Sequence, residues 1–363
     1  MKFREKVLKK GIAWMLAGVL SAGILAGCGE GQQKEQGSGA ARQEESSSEQ
    51  GTESEAQTQS DSQIETGSQE DAKTAPKGTI MVTYVKSPLN VPSIVEKDQE
   101  IFAEAFGKLG YEVGYSDLTT GPEQTQALAS GDIQFLNAVG ATSVILAASN
   151  GLDIKIISTY SRSPKAFKLF SKDGAIQSPE DLRGKKVAGP KGTILHELLT
   201  AYLASAGMTE QDIEFLSMGI PDSQAALMGG SVDAALLAGP AAYNTEKDGL
   251  NVVTDGEGLT EATIVVAVGG QYAKEHPEEI KTFLEAQKQV LDYIDAEEEK
   301  AMEAAAKETE LTVEAVKEMY PLYDFDMAIK DSDIEAMKKT EQFMKENQMI
   351  ETDVDIEELI FAP

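Results

Sequence analysis

Residues 126–143 read QALASGDIQFLNAVGATS, and this stretch decides the fold. The opening run reads as the end of a helix, and Ser130-Gly131 as the tight turn after it. The mostly apolar residues 133–138 read as a short buried strand, and Gly140 then opens a helix over 141–149. A second copy, AALMGGSVDAALLAGPAAY, occupies residues 225–243. The two align without a gap: Ala127 with Ala226, Leu128 with Leu227, Gly131 with Gly230, Gly140 with Gly239. Such internal similarity predicts two related lobes, each containing the same helix-strand-helix unit. In each copy a glycine sits where a strand gives way to a helix, the place at which open α/β sheets hold ligands.

A chain of 363 residues with 41% hydrophobic content can form two domains with real cores. The net charge of -29 argues against nucleic acid as a partner, because a phosphate backbone would be repelled. Residues 1–27 read as a lipoprotein signal peptide. Lys2, Arg4, Lys6, Lys9 and Lys10 form a basic start, residues 12–26 form an apolar run too short for a comfortable span, and the segment closes Leu25-Ala26-Gly27-Cys28. That closing word reads as a lipobox, which makes Cys28 the expected site of acylation (palmitate included) and anchors the chain on the extracytoplasmic face of the cell membrane. Cys28 is the only cysteine, so no disulfide framework is available. Residues 28–77 carry the lipidated Cys and a Gln/Ser/Glu/Gly-rich stretch that cannot bury enough surface to offset ordering entropy, and read as a disordered tether.

From residue 77 onward, strands are expected at 79–84, 111–118, 133–138 and 154–160, separated by helices, one of them at 96–109. That rhythm implies parallel βαβ units. Residues 161–165 read as a crossing into the second lobe. There, strands are expected at 166–171, 185–188, 213–218 and 250–253, with a helix after Thr193. Residues 262–268, ATIVVAV, read as a strand returning to the first lobe, and the remainder is helical. The expected division is therefore 78–162 plus 260–363 as lobe 1 and 163–259 as lobe 2.

Several words in this order carry a resemblance. They are Gly121-Pro122 followed by residues 126–133, QALASGDI; Val139-Gly140; residues 178–188, SPEDLRGKKVA; Lys191-Gly192-Thr193; and residues 229–234, GGSVDA. With these the chain resembles the substrate-binding proteins of ABC transporters in the nitrate, sulfonate and taurine group, over residues 79–293. The resemblance implies an α/β, two-lobed type II periplasmic-binding-protein fold, with three-layer lobes joined by two crossover segments and a ligand between them. It also implies, as partners, a small-molecule ligand and an ABC permease with its ATPase, and the protein is expected to be a monomer. Two words differ from the pattern. Sulfonate-binding members often have Trp-Asp-Pro where this chain has Ala238-Gly239-Pro240, and many have Asp or Ser with Pro where this chain has Ala141-Thr142-Ser143. Both differences bear on the ligand and neither on the fold.

By position, the ligand-binding residues implied are Lys86, Ser87, Gly121, Val139, Gly140, Ala141, Thr142, Ser161, Lys191, Gly192, Thr193, Asp222, Gly239 and Pro240. Helix starts near Gly121, Gly140, Gly192 and Gly239 would turn unpaired N–H groups toward one cleft and accept an anion without basic side chains. Thr142 and Thr193 are expected to add hydroxyl donors, Lys86, Arg162 and Lys191 charge, and Tyr160 and Tyr243 stacking surfaces. No catalysis, cofactor or metal is expected. The only histidines are His196 and His276, and neither a Ser-His-acid order nor HExxH occurs. Residues 189–193, GPKGT, lack the Walker arrangement, in which Lys directly follows the last Gly. The function expected is capture of a small organic anion such as a sulfonate, taurine, nitrate or a carboxylate, for import. Alternatives are a ligand-sensing receptor without transport, a binder of a thiamine-pyrimidine precursor, and an enzyme on the same fold that handles that precursor.

Overall fold

The structure, a computed structural model, describes residues 76–361. The signal peptide, the Cys28 lipobox and nearly all of the tether lie outside the described residues. Ten strands form two sheets of five. The first contains β1 (Gly78–Thr83), β2 (Tyr111–Ser116), β3 (Phe135–Gly140), β4 (Ile154–Arg162) and, from later in the chain, β10 (Thr263–Gly269). The second contains β5 (Phe167–Ser171), β6 (Lys186–Gly189), β7 (Glu214–Ser217), β8 (Ala234–Ala238) and β9 (Asn251–Asp255). The strand orders are β2-β1-β3-β10-β4 and β7-β6-β8-β5-β9, so the same arrangement is built twice.

In both sheets the first three positions are parallel and the fourth strand is antiparallel to both its neighbours. The connectivity explains this. The chain leaves the first sheet at the C-terminal end of β4, enters the second directly as β5, and comes back directly as β10. A strand that enters a sheet at the edge where its parallel strands end must run against them. Those ends therefore face the other sheet, and the helices that follow them start in the space between.

The repeat is present in detail. The helix Gly121–Ser130 corresponds to Ile220–Gly229, β3 to β8, and the helix Ala141–Ser149 to Gly239–Lys247. Both first helices end in a left-handed glycine: Gly131 at φ 82° donates to the Ala127 and Leu128 carbonyls, and Gly230 at φ 72° to those of Ala226 and Leu227.

One expected element differs. The helix read over 96–109 is two, Val91–Asp98 and Ile101–Lys108, broken at Glu100 with φ 53°. The buried Glu96 carboxylate accepts the Phe102 N–H at 3.1 Å and so supplies an acceptor to the first turn of the second helix. Beneath it lies an aromatic core. Phe135 stacks on Phe283 at 4.4 Å, and Phe102 and Phe106 pack alongside. The C-terminal helix Asp331–Glu346 is tied back to β4 through Arg162, whose guanidinium donates two bonds to the Asp333 carboxylate.

Candidate functional site between the sheets

A cavity of about 380 Å³ lies between the two sheets, within the range of small-molecule sites. One wall is the loop after β1, with Lys86, Ser87 and Pro88, together with Gly121, Gln124, Gly140 and Ser143. The facing wall comes from the second sheet: Phe167, Pro190, Thr193, Ile194, Ile220, Pro221, Pro240 and Ala241. The rim is closed by Glu308, Thr309 and Glu310, at the C-terminal end of the helix Glu298–Thr309.

Four helices that meet the cavity at their first turn take no side-chain cap from the described residues: Ala141–Ser149, Ile194–Ala204, Ile220–Gly229 and Gly239–Lys247. Their first-turn N–H groups have no intrahelical acceptor and carry the positive end of the helix dipole. The helix Gly121–Ser130 differs. Thr120 and Glu123 form a reciprocal capping box, so part of its N-terminal donor capacity is used internally. The one basic side chain on the wall, Lys86, is paired with Glu308 at 3.5 Å. Attraction for an anion therefore rests on backbone dipoles.

Six of the expected residues line the cavity: Lys86, Ser87, Gly121, Gly140, Thr193 and Pro240. The other eight lie off its wall. Val139 and Ala141 are buried in the core of the first lobe. Ser161 is buried on β4, and its hydroxyl has no hydrogen-bond partner among the described residues. Lys191 extends outward to Glu210 at 2.9 Å, and Asp222 is exposed. Gly192 and Gly239 are instead points where the lobes touch. Ser143 of the first lobe donates to the Gly192 carbonyl at 2.8 Å, and a Cβ on Gly239, at φ 60°, would collide with the Pro88 carbonyl oxygen.

Thr142 is the most informative of the eight. Its hydroxyl does not point to the cavity but donates to Glu197 of the second lobe. Glu197 is 4% exposed and also accepts from Thr340 at 3.1 Å, while Thr260, just before β10, bonds to the same carboxylate. Burial raises its pKa, and the three hydroxyls only partly oppose that. A carboxyl group on one lobe is thus held by hydroxyls from the other lobe and from the crossover.

Other expected roles are redirected. The Thr193 hydroxyl donates to the Pro190 carbonyl at 2.8 Å, so its proton is already engaged. Arg162 is committed to the C-terminal helix. Tyr160 is buried, with its hydroxyl against Ser93, and Tyr243 lies outside this cavity and donates to Glu318. His196 is buried. Its Nδ1 accepts the Gly192 N–H at 3.3 Å, its Nε2 meets Glu210 at 2.6 Å, and it stacks on Phe215, so it pins the loop before its helix. Burial lowers its pKa, against the pull of Glu210.

The residues that sequence reasoning missed divide into two kinds. Ile220 and Pro221 are the repeat mates of Gly121 and Pro122, so the alignment could have found them. Gln124, one turn beyond Gly121, was reachable by helical spacing. Nothing local points to Glu308, Thr309 and Glu310.

The sequence matches the NMT1/THI5-like family over residues 94–301, more than half of its length. The chain belongs to that family. It is 26% identical over 286 residues to a putative aliphatic sulfonates-binding protein of Bacillus subtilis, covering 74% of this chain and 82% of that one. It is 32% identical over 196 residues to the taurine-binding periplasmic protein of Escherichia coli, covering 53% and 59%. Among solved structures, the alkanesulfonate-binding protein of Xanthomonas axonopodis pv. citri superposes with a TM-score of 0.71 at 20% identity, covering 79% of this chain and 99% of that one. The expected two-lobed periplasmic-binding-protein fold is therefore the fold of this family member, and the taurine-binding relative is periplasmic by name.

Proposed function

We propose that this chain is the solute-binding lipoprotein of an ABC importer. In this reading it is held on the extracytoplasmic face of the membrane through acylated Cys28, captures a small organic anion between its lobes, and delivers it to a permease. The ligand class put forward is a sulfonate or a comparable small acid. The observation that carries it is the set of uncapped helix starts, at Ala141, Ile194, Ile220 and Gly239, converging on one cavity of about 380 Å³. The sulfonate- and taurine-binding relatives support the same class. Lys86, Ser87, Gly121, Gly140, Thr193 and Pro240 would meet the ligand. Val139, Ala141, Thr142, Ser161, Gly192 and Gly239 would act behind the wall or at the lobe contacts, and Lys191 and Asp222 face outward. The lobe division put forward is 78–162 with 260–363 against 163–259, with hinges in the two crossovers.

Thermal melting of residues 76–363 against sulfonates, nitrate, carboxylates and uncharged analogues tests this. A ligand at a hundred times its Kd stabilises by about 2.7 kcal/mol, a rise of roughly 5 °C in Tm. Stabilisation by cationic or uncharged compounds alone would overturn the anion reading.

A further inference from the structure

The turn between β1 and the helix Val91–Asp98 supplies Lys86, Ser87 and Pro88 to the cavity wall. Its two ends are fixed. The Tyr84 N–H donates to the Ser116 carbonyl at 2.8 Å, and the Ser93 N–H, in the first turn of the helix, donates to the Tyr160 hydroxyl at 3.1 Å. Between those ends, successive carbonyls accept from one residue. Asn90 donates its Nδ2 to the Val85 carbonyl at 2.8 Å and to that of Ser87 at 3.5 Å, and its backbone N–H to that of Lys86 at 3.1 Å. Asn90 is 0% exposed and does not belong to the cavity wall. Its Oδ1 has no hydrogen-bond partner among the described residues, and a flipped amide would set that oxygen against the Val85 and Ser87 carbonyls. Burying an unmatched acceptor is a cost that leucine, of nearly the same shape, would avoid. What leucine lacks is the donors.

With the carbonyls of Val85, Lys86 and Ser87 drawn inward, the outer side of the turn faces the cavity and the other lobe. Pro88 is the point of contact, since its carbonyl oxygen would lie 1.6 Å from a Cβ on Gly239. We infer that Asn90 is a positioning residue for ligand capture. Without touching the ligand, its amide holds the turn so that Lys86 and Ser87 meet the cavity and the Pro88 carbonyl seats against Gly239. A turn fixed before the ligand arrives spares the cost of ordering it on binding. This inference rests on the reading of the cavity as the anion-binding site.

Hydrogen exchange and calorimetry on the full chain test it. In ligand-free Asn90→Ala, amide exchange is expected to speed up at residues 84–90 while both sheets stay as protected as in the wild type. Faster exchange throughout the first lobe, or failure to fold, would make Asn90 a general core residue and overturn the inference. Calorimetry with 1-butanesulfonate and 2-aminoethanesulfonate reads the role in binding. Asn90→Ala and Asn90→Asp, the second nearly isosteric but without the amide donors, are each expected to lose about tenfold or more in affinity. Wild-type affinity in either overturns the inference. A double-mutant cycle separates positioning from general damage. Gly239→Ala sets a Cβ against the Pro88 carbonyl, and a released turn lets that carbonyl give way. The loss in the double variant Asn90→Ala with Gly239→Ala is therefore expected to fall well short of the product of the single losses, and a loss equal to that product overturns the inference. If neither sulfonate binds the wild type, the anion-binding reading falls, while the exchange result still decides whether Asn90 holds the turn.

Discussion

At the scale of the residue, two positions have consequences that the geometry makes explicit. Gly239 is held at φ 60° with its Cα against the Pro88 carbonyl of the other lobe. Any side chain there both strains the backbone and blocks the approach of the lobes. Gly239→Ala is expected to weaken ligand binding by about tenfold or more while leaving far-UV circular dichroism unchanged, since it obstructs closure rather than either core. Glu96 is the second. Burial pushes its carboxyl up to about 7, against the opposing bonds from Tyr115 and the Phe102 N–H. A raised folded-state pKa means that the native protein binds more protons than the unfolded chain between the ordinary carboxylate range and about 7. Stability from this group is thus fully present below that window and is lost as pH rises through it. Both bonds go to Oε1, which glutamine also provides, so Glu96→Gln should flatten this part of the Tm-versus-pH curve without loosening the fold. An unchanged slope would assign the pH dependence to other groups.

At the scale of the element, the helix Ile194–Ala204 joins the two halves. Every residue from Ile194 to Leu203 is buried, so this helix is enclosed rather than amphipathic. It carries Glu197 into a pocket of three threonine hydroxyls from Thr142, Thr260 and Thr340, with Glu261 the charged neighbour. Under the proposed opening of the lobes, that carboxylate would meet water and its pKa would fall back. Closure therefore takes up protons and is favoured as pH falls. Ligand affinity is expected to strengthen as pH falls toward the ordinary carboxylate range, and Glu197→Gln should abolish that slope in calorimetry. Thr142→Val removes one bond to the buried carboxyl and should weaken binding by about tenfold at neutral pH.

At the scale of the whole molecule, the lobes are in contact through Ser143 and Gly192, Pro88 and Gly239, and Thr142 and Glu197, which describes a closed arrangement. Among the described residues two segments connect the sheets, 163–166 and 256–262, and under the proposed closure a rotation about them would open the cavity without disturbing either sheet. Small-angle scattering of residues 76–363 should show the radius of gyration falling when a binding sulfonate is added. No change on saturation would argue that the lobes do not move.

The amino-acid sequence by itself determined the order of strands and helices, the doubling of the unit around Gly131 and Gly230, and the glycine-marked helix starts. These depend on short-range demands, namely apolar periodicity and the left-handed conformation that glycine tolerates, and such demands are legible within a dozen residues. The break at Glu100 escaped that reading because a side chain, Glu96, supplied an acceptor that periodicity does not record. Which side of each helix start reaches the cavity was decided only by tertiary structure. Thr142 turned to Glu197, Lys191 turned to Glu210, and Glu308, Thr309 and Glu310 arrived from a distant helix. The physical reason is that a wall shared by two lobes depends on how the crossovers orient one sheet against the other, and that orientation is set by the sum of many long-range contacts.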